Sequence, residues 1–282
     1  MIITDDFVYI HFPKTGGTFV SKVLTELYQY KRQYKILKSF PKTIKNNINN
    51  RYKIQLRGFI ELGIGEFGQH APCHQIPEEH RNKPILTNIR NPYDRYVSHY
   101  EYQWWKRRPE DDFEFYTLKD LKEKCPKFPD LDFEEYLNLW NSIWLPDKIK
   151  KRANIDLKIE KSFGLETYNF IEFYFKNPPK VIHEVYHNYQ NYTLEKKYNF
   201  DMFNDIHFLK MDQLNSDLYN FLLNLGWKKN EISFILNSDK ILPPGSARTK
   251  EQTWQRYYTP ELKDLIRQKD KFIFEIFPEF DV

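Results

Sequence analysis

Cysteine is nearly absent from this sequence: Cys73 and Cys125 are the two among 282 residues, and no CxxC spacing occurs. Neither a disulfide framework nor a cysteine-rich zinc site is thereby indicated. Also missing is any apolar run approaching the roughly 18 residues of a membrane span, and the N-terminus has no basic stretch leading into a long apolar one. Neither sign of charge dominates. Lys and Arg number 43 against 39 Asp and Glu, for a net charge of +4, too small a bias to signal nucleic acid or an anionic membrane as partner. It does suit a small polyanion held in one local pocket. No repeat and no low-complexity tract interrupts the chain. Together these absences lead us to expect a soluble protein of the reducing cytoplasm, with no membrane partner.

What is present describes an ordinary globular chain. Hydrophobic residues make up 40% and charged residues 29%, which separates it from disordered sequences. Aromatic residues reach 17%, with 20 Tyr and 23 Phe, and read chiefly as core in a composition also rich in Lys, Asn and Ile. The length fits one large α/β domain or two small ones.

Apolar periodicity gives a coarse map. Residues 7 to 12 read as a buried strand, and Thr18 to Tyr30 as a helix with Phe19, Val23, Leu24 and Leu27 on its apolar face. Residues 41 to 52 are polar surface; Lys53 to Ile60 suggest a second strand, with Gly63, Gly65 and Gly68 making the next loop pliable. "ILTNIR" after Pro84 is a short strand ending at "RNP", where Asn91 caps and Pro92 opens a helix reaching about Tyr102. Pro109, Pro126, Pro129 and Pro146 divide residues 103 to 180 into short helices. "HFLKM" at 207 to 211 is the last strand, followed by a helix from Leu214 to Leu225 that Gly226 stops. A loop, "LPPGSARTKEQTW", leads to a terminal helix from Pro260 to Phe274. Strands alternating with helices predict an α/β fold with a central, mostly parallel sheet flanked by helices. No linker divides it, so we expect one domain over residues 1–282, with residues 103 to 180 a helical, aromatic-rich insertion over the sheet edge.

Two motifs carry chemistry. In "HFPKTGGTFV", residues 11 to 20, a strand turns through Gly16 and Gly17 into a helix. Backbone N–H groups from Thr15 to Thr18 would converge on an anion, and the helix dipole would favour it. The glycines allow close approach, and Lys14 adds a mobile charge. The nucleotide-triphosphatase pattern G-x-x-x-x-G-K-[ST] is not matched, because the lysine precedes the glycine pair. In "IRNPYDRYVSHY" Arg90 ends a strand, and Ser98 lies one helical turn beyond Asp94. A guanidinium fork with a hydroxyl suits a second phosphate remote from the first.

These two motifs, in this order, resemble the cofactor motifs of sulfotransferases that use 3′-phosphoadenosine 5′-phosphosulfate (PAPS), most strongly those of the branch holding heparan 2-O-sulfotransferase and other carbohydrate sulfotransferases. The resemblance continues weakly through "IHFLKMDQL" and "YYTPELKDLIRQKDKFIFEIF", leaving the middle third unmatched. It implies the P-loop-like sulfotransferase fold, PAPS as co-substrate and 3′-phosphoadenosine 5′-phosphate (PAP) as product, with no metal. It places the 5′-phosphosulfate on Lys14, Thr15, Gly16, Gly17 and Thr18, and the 3′-phosphate on Arg90 and Ser98. Lys14 would neutralise charge growing on the bridging oxygen as the bond to sulfur breaks. Arg248 and Lys250, in the late basic loop, would close over the adenosine phosphates; a solvated basic loop is the equal alternative.

An alcohol acceptor needs a general base. His70, in "EFGQHAPCHQIPEEH", lies in the stretch resembling the family's catalytic-histidine region; His74 is the second choice. A loop histidine bonded to backbone is the alternative for His70. His11 reads as structural, His99 as packed in its helix and His80 as surface. For the acceptor, a small molecule or soluble glycan with a hydroxyl (or an amine), His74, Trp104 and Trp105 are candidates, with Trp140 and Trp144 in the same unmatched region as the tryptophans, and the resemblance adds His187 and Gln190; core packing explains the tryptophans equally well.

Two further motifs point to other chemistry. "HEVYH" matches H-E-x-x-H, with His183 and His187 on one helical face and Glu184 as activator of a metal-bound water. It lacks a convincing third zinc ligand, since Gln190 occupies the following glycine position and Glu195 is a poor substitute. "YQWWKRR" at 102 to 108 mixes rings and cations as a nucleotide- or RNA-binding module would, but "PEDDFEFY" next to it cancels the charge.

Overall fold

A computed structural model describes residues 1–36, 68–156, 163–187, 203, 205–239 and 248–282. In chain order it contains strands β1 (Ile2–Ile3) and β2 (Val8–Ile10), helix α1 (Gly17–Ile36), strand β3 (Ile85–Ile89), helix α2 (Pro92–Tyr102), strand β4 (Ile206–Lys210) and helix α3 (Leu214–Asn224). Further helices are named below by their residues. The expected strand at Lys53 to Ile60, the loop at Gly63 and Gly65, Gln190, Glu195 and most of the loop before Arg248 lie outside the described residues.

The four strands form one sheet in the order β1-β2-β3-β4. β2 pairs parallel to β3 in the register Tyr9 with Leu86, and β3 parallel to β4 in the register Thr87 with Phe208. β1 pairs antiparallel to β2; two residues give no period to read, so the sequence did not announce it. Every residue of β2 and β3 is buried, as expected of central parallel strands. This is the α/β architecture read from the alternating pattern.

The chain gathers into two compact units. The first, Met1–Arg90 with Phe203–Pro243, holds the sheet. Its core packs Phe19, Val20, Val23 and Leu24 of α1 and Leu214, Leu218, Phe221 and Leu222 of α3 with Phe7, Tyr9, Leu86 and Leu209. Each such side chain contributes about 1.5–3 kcal/mol by leaving water. Gly226, at φ +87, ends the α3 segment as expected.

The second unit, Asn91–Met202 with Pro244–Val282, is helical. Asn91 caps α2 by accepting a hydrogen bond from the Tyr93 N–H at 2.9 Å, with Pro92 in the first turn. Two helix boundaries differ from the expectation. Pro146 does not interrupt: Phe133–Asn138 runs through a π-helical turn, Leu139–Trp144, into Leu145–Ala153. The π register hands the Leu145 N–H to the Trp140 carbonyl, so the helix passes the residue that lacks an N–H. Conversely, the terminal helix divides into Pro260–Lys269 and Lys271–Ile276 at Asp270, which is fully buried and accepts from the Thr167 N–H and the Tyr96 hydroxyl. Arg95 and Glu166 form a buried ion pair in the same unit.

Candidate functional site

The bend after β2 is built by tight contacts. A hydrogen bond from Phe12 N–H to the Ile10 carbonyl, 3.1 Å, turns the chain at His11. Lys14 then takes φ +66 and Gly16 φ +89. Buried Thr15 ties the turn by donating its hydroxyl to the Phe12 carbonyl at 2.7 Å. The twenty-residue helix α1 opens immediately at Gly17, with Thr18 half-buried beside it. The first-turn N–H groups of such a helix lack intrahelical partners.

Both glycines are required by neighbours as well as by backbone angle. A Cβ at Gly16 would lie 2.5 Å from Met211 Sδ, and one at Gly17 would lie 2.2 Å from the His11 ring. Met211 and Leu214, which close over Gly16, also line a cleft of about 470 Å³ with Asn215, Leu236, Ser238 and Asp239.

Arg90, at the end of β3, is 9% exposed and donates from Nη1 to the Lys14 carbonyl at 3.0 Å. It is therefore a strut of the loop. Beneath the loop, the Tyr9 hydroxyl donates to Asn88 Oδ1 at 2.6 Å. Burial holds the Tyr9 phenol well above its ordinary pKa, so it stays a neutral donor.

His70 stands in a short 3-10 turn, Gly68–His70, half-buried. Its Nδ1 is 3.0 Å from the His11 carbonyl oxygen. A carbonyl only accepts, so Nδ1 carries a proton, and in the neutral form of the ring the lone pair lies at Nε2. The Gln69 amide, 3.2 Å from Nε2, is a donor suited to that tautomer. His11 itself is buried, and burial together with the neighbouring His70 lowers its pKa to about 3. His74 lies half-buried in the next turn, Cys73–Gln75. The turn at Lys14 to Gly17, Arg90 and His70 thus come together in the first unit.

The other sequence-derived residues belong to the second unit. Ser98 is half-buried on α2. Arg248 donates to Asp94 on the same helix at 2.7 Å, one turn from Ser98. Its Nη1 is buried without a hydrogen-bond partner among the described residues. Lys250 is exposed. Trp105, expected as a platform for an acceptor, is 1% exposed and packs against Tyr100, Phe128 and Tyr136; both its faces are used by the core. Trp140 and Trp144 are core as well. Trp104 is half-buried, donates to Asp111 and stacks on Tyr102. The cations of the suspected nucleic-acid patch are engaged: Lys106 with Asp130, Arg108 with Glu110, and Arg107 over the Tyr102 and Trp104 rings. His183 and His187 do share an exposed face, ring centroids 4.2 Å apart, yet among the described residues no three metal-ligating side chains gather.

Sequence reasoning missed the Arg90 bond to the Lys14 carbonyl, the Tyr9–Asn88 pair, the Asp94–Arg248 pair and the His11 carbonyl. Each joins residues too distant in the chain for local pattern to reveal. Among the described residues no helix is long and apolar enough to cross a membrane. No curated protein and no solved structure matches the chain. The model of the Sulfotransferase family, however, matches residues 2–214, a span that takes in the turn at Lys14 to Gly17, His70, Arg90 and Ser98. The bend after β2 and the helix that follows "IRNP" thus lie inside a matched region covering most of the sequence, and the chain belongs to the sulfotransferase family.

Proposed function

We propose that the protein moves a sulfuryl group from PAPS to a hydroxyl of a small molecule or glycan, an amine being the alternative acceptor. The observation that carries the reading is the left-handed turn at Lys14 and Gly16, opening directly into α1 and braced by Arg90. Such a turn offers backbone donors, helix dipole and lysine charge to one anion. The residues present fit the donor. Gly16 and Gly17 leave no room for side chains that would crowd the loop. Arg248 keeps a buried guanidinium nitrogen in want of an acceptor. Thr15 to Thr18 would hold the 5′ end, and Arg90, Ser98, Arg248 and Lys250 the remaining phosphate.

Bound there, the donor supplies an activated sulfuryl group and a phosphate leaving group. Lys14 neutralises the charge that grows on the leaving oxygen. The Thr15–Thr18 amides and Arg90 fix its orientation, so that positioning and charge stabilisation provide most of the rate. His70 accepts the acceptor's proton at Nε2, while its Nδ1–H remains on the His11 carbonyl. Trp104 and His187 are the candidates for acceptor contact.

The test is calorimetry with PAP, followed by a screen of acceptors with labelled donor. Lys14→Ala is expected to lower transfer by on the order of 10²- to 10³-fold, and His70→Ala by about 10²-fold. Undiminished transfer by Lys14→Ala removes the mechanism. Full activity of His70→Ala moves the base elsewhere and leaves the donor site standing.

A further inference from the structure

We infer that His11 is a positioning residue that ties the donor loop to the His70 base. The inference rests on the reading of His70 given above and extends it to a residue whose own ring stays out of proton transfer.

Four contacts converge on His11. Its carbonyl, turned away from the sheet by the bend at residues 10 to 12, receives the His70 Nδ1–H at 3.0 Å. Its ring packs edge-on against the His70 ring, centroids 4.7 Å apart and planes at 77°. The same ring fills the space above Gly17 that a side chain would otherwise occupy, and its Nδ1 lies 3.3 Å from Ser21 Oγ in the next turn of α1. One 6% exposed residue therefore touches both the first turn of the donor helix and the base. A displacement of that turn is carried to His70 through a packed ring rather than absorbed by solvent.

The charge state suits this role. Burial first, then the neighbouring His70, keeps the His11 imidazole neutral through the working range, with its pKa at about 3. The other titratable group facing the pair is the Met1 amine, which donates to the Gln69 carbonyl at 2.8 Å and whose pKa burial lowers to about 5, so that it too is uncharged in the working range. A His11 that stays uncharged does not compete for the proton that His70 takes. What it supplies is orientation: a ring wall and a carbonyl acceptor that select the Nδ1–H tautomer, the part a carboxylate or backbone carbonyl plays behind many catalytic histidines.

A double-mutant cycle on the full chain separates positioning from packing. His11→Ala is expected to lower kcat about tenfold with His70 present, and less than twofold in a His70→Ala background, because the lost orientation has no base left to act on. Nitrogen-15 imidazole spectra of the free protein provide a readout that needs no activity. His11→Ala keeps the backbone carbonyl and removes the ring wall, so the spectra should show His70 as the Nδ1–H tautomer in the parent and, once its ring is free to turn from that carbonyl, a mixture of tautomers in His11→Ala. His11→Phe, which restores the ring wall, should recover most of the single tautomer. Should His11→Ala fail to fold, Ser21→Ala releases the ring from α1 and should lower kcat about threefold. Equal losses in both backgrounds, or an unchanged His70 tautomer in His11→Ala, overturn the inference. Full activity of His70→Ala alone defeats instead the assignment of the base, and the spectra still decide whether His11 orients that ring.

Discussion

Lys14 occupies a backbone region that side chains with a Cβ seldom adopt, at φ +66, and the cost of about 1–3 kcal/mol is borne by the contacts around it. The Arg90 guanidinium is the clearest of these, reaching the Lys14 carbonyl from the end of β3. Arg90→Lys keeps a positive charge but loses the fork that can serve both a carbonyl and a phosphate. We expect it to weaken PAP binding by more than tenfold in calorimetry, since one nitrogen cannot replace two separate bonds. Gly16→Ala should fail more severely. It places a Cβ 2.5 Å from Met211 Sδ at φ +89, and the expected outcome is loss of PAP binding with a Tm lowered by several degrees. At this scale the bend was legible, because "PKTGGT" specifies a turn by residue type, while the left-handed conformation of Lys14 was not. The role of Arg90 was legible only as a charge. Its bond to Lys14 depends on the parallel pairing of β2 with β3, which brings residue 90 beside residue 14.

Helix α2 shows how an element is set by its first residue. Asn91 accepts from the Tyr93 N–H and donates from Nδ2 to the Phe280 carbonyl at 3.0 Å. Asn91→Ala removes both and is expected to cost about 1–2 kcal/mol in urea unfolding. Asn91→Asp, which keeps the acceptor and loses the donor, should cost less. The cap and the proline after it were readable in "RNP" because capping is local chemistry. The same cannot be said of the segment from Phe133 to Ala153. There a proline inside a helical stretch reads as a break, while the molecule places a π turn ahead of it and continues. Nor did the sequence separate Pro260–Lys269 from Lys271–Ile276, since the helix ends where Asp270 is drawn inward by Thr167 and Tyr96, partners more than a hundred residues away. Trp105, Trp140 and Trp144 were ambiguous for the related reason that a tryptophan offered to a ligand and one buried in a core have the same local sequence.

Across the whole molecule, two buried groups give stability opposite dependences on pH. His11 titrates at about 3 when folded against 6.5 when free. Between these values the unfolded chain binds a proton that the folded chain refuses, so stability rises with pH up to about 6.5 and is lost on acidification. Asp270 is raised from 3.8 to about 7 by burial and then by Glu166. Here the folded chain keeps a proton that the unfolded chain has released, so stability falls as pH rises from about 4 to 7. Each slope is about 1.4 kcal/mol per pH unit at most, and the two offset one another over the shared range. Asp270→Asn should remove the falling limb and make the protein more stable relative to the parent at pH 8 than at pH 4, as read by urea unfolding across a pH series. The reverse ordering would falsify the assignment of Asp270 as a buried acid. The first unit also has a history written into its connectivity, because it is assembled from Met1–Arg90 and Phe203–Pro243. Met211 and Leu214, the wall that closes over Gly16, leave the ribosome long after the loop they cover. The nascent chain must therefore carry an uncovered turn at Lys14 to Gly17 while most of the second unit is being translated, and the completed sheet depends on late, sequence-distant pairing of β4 with β3.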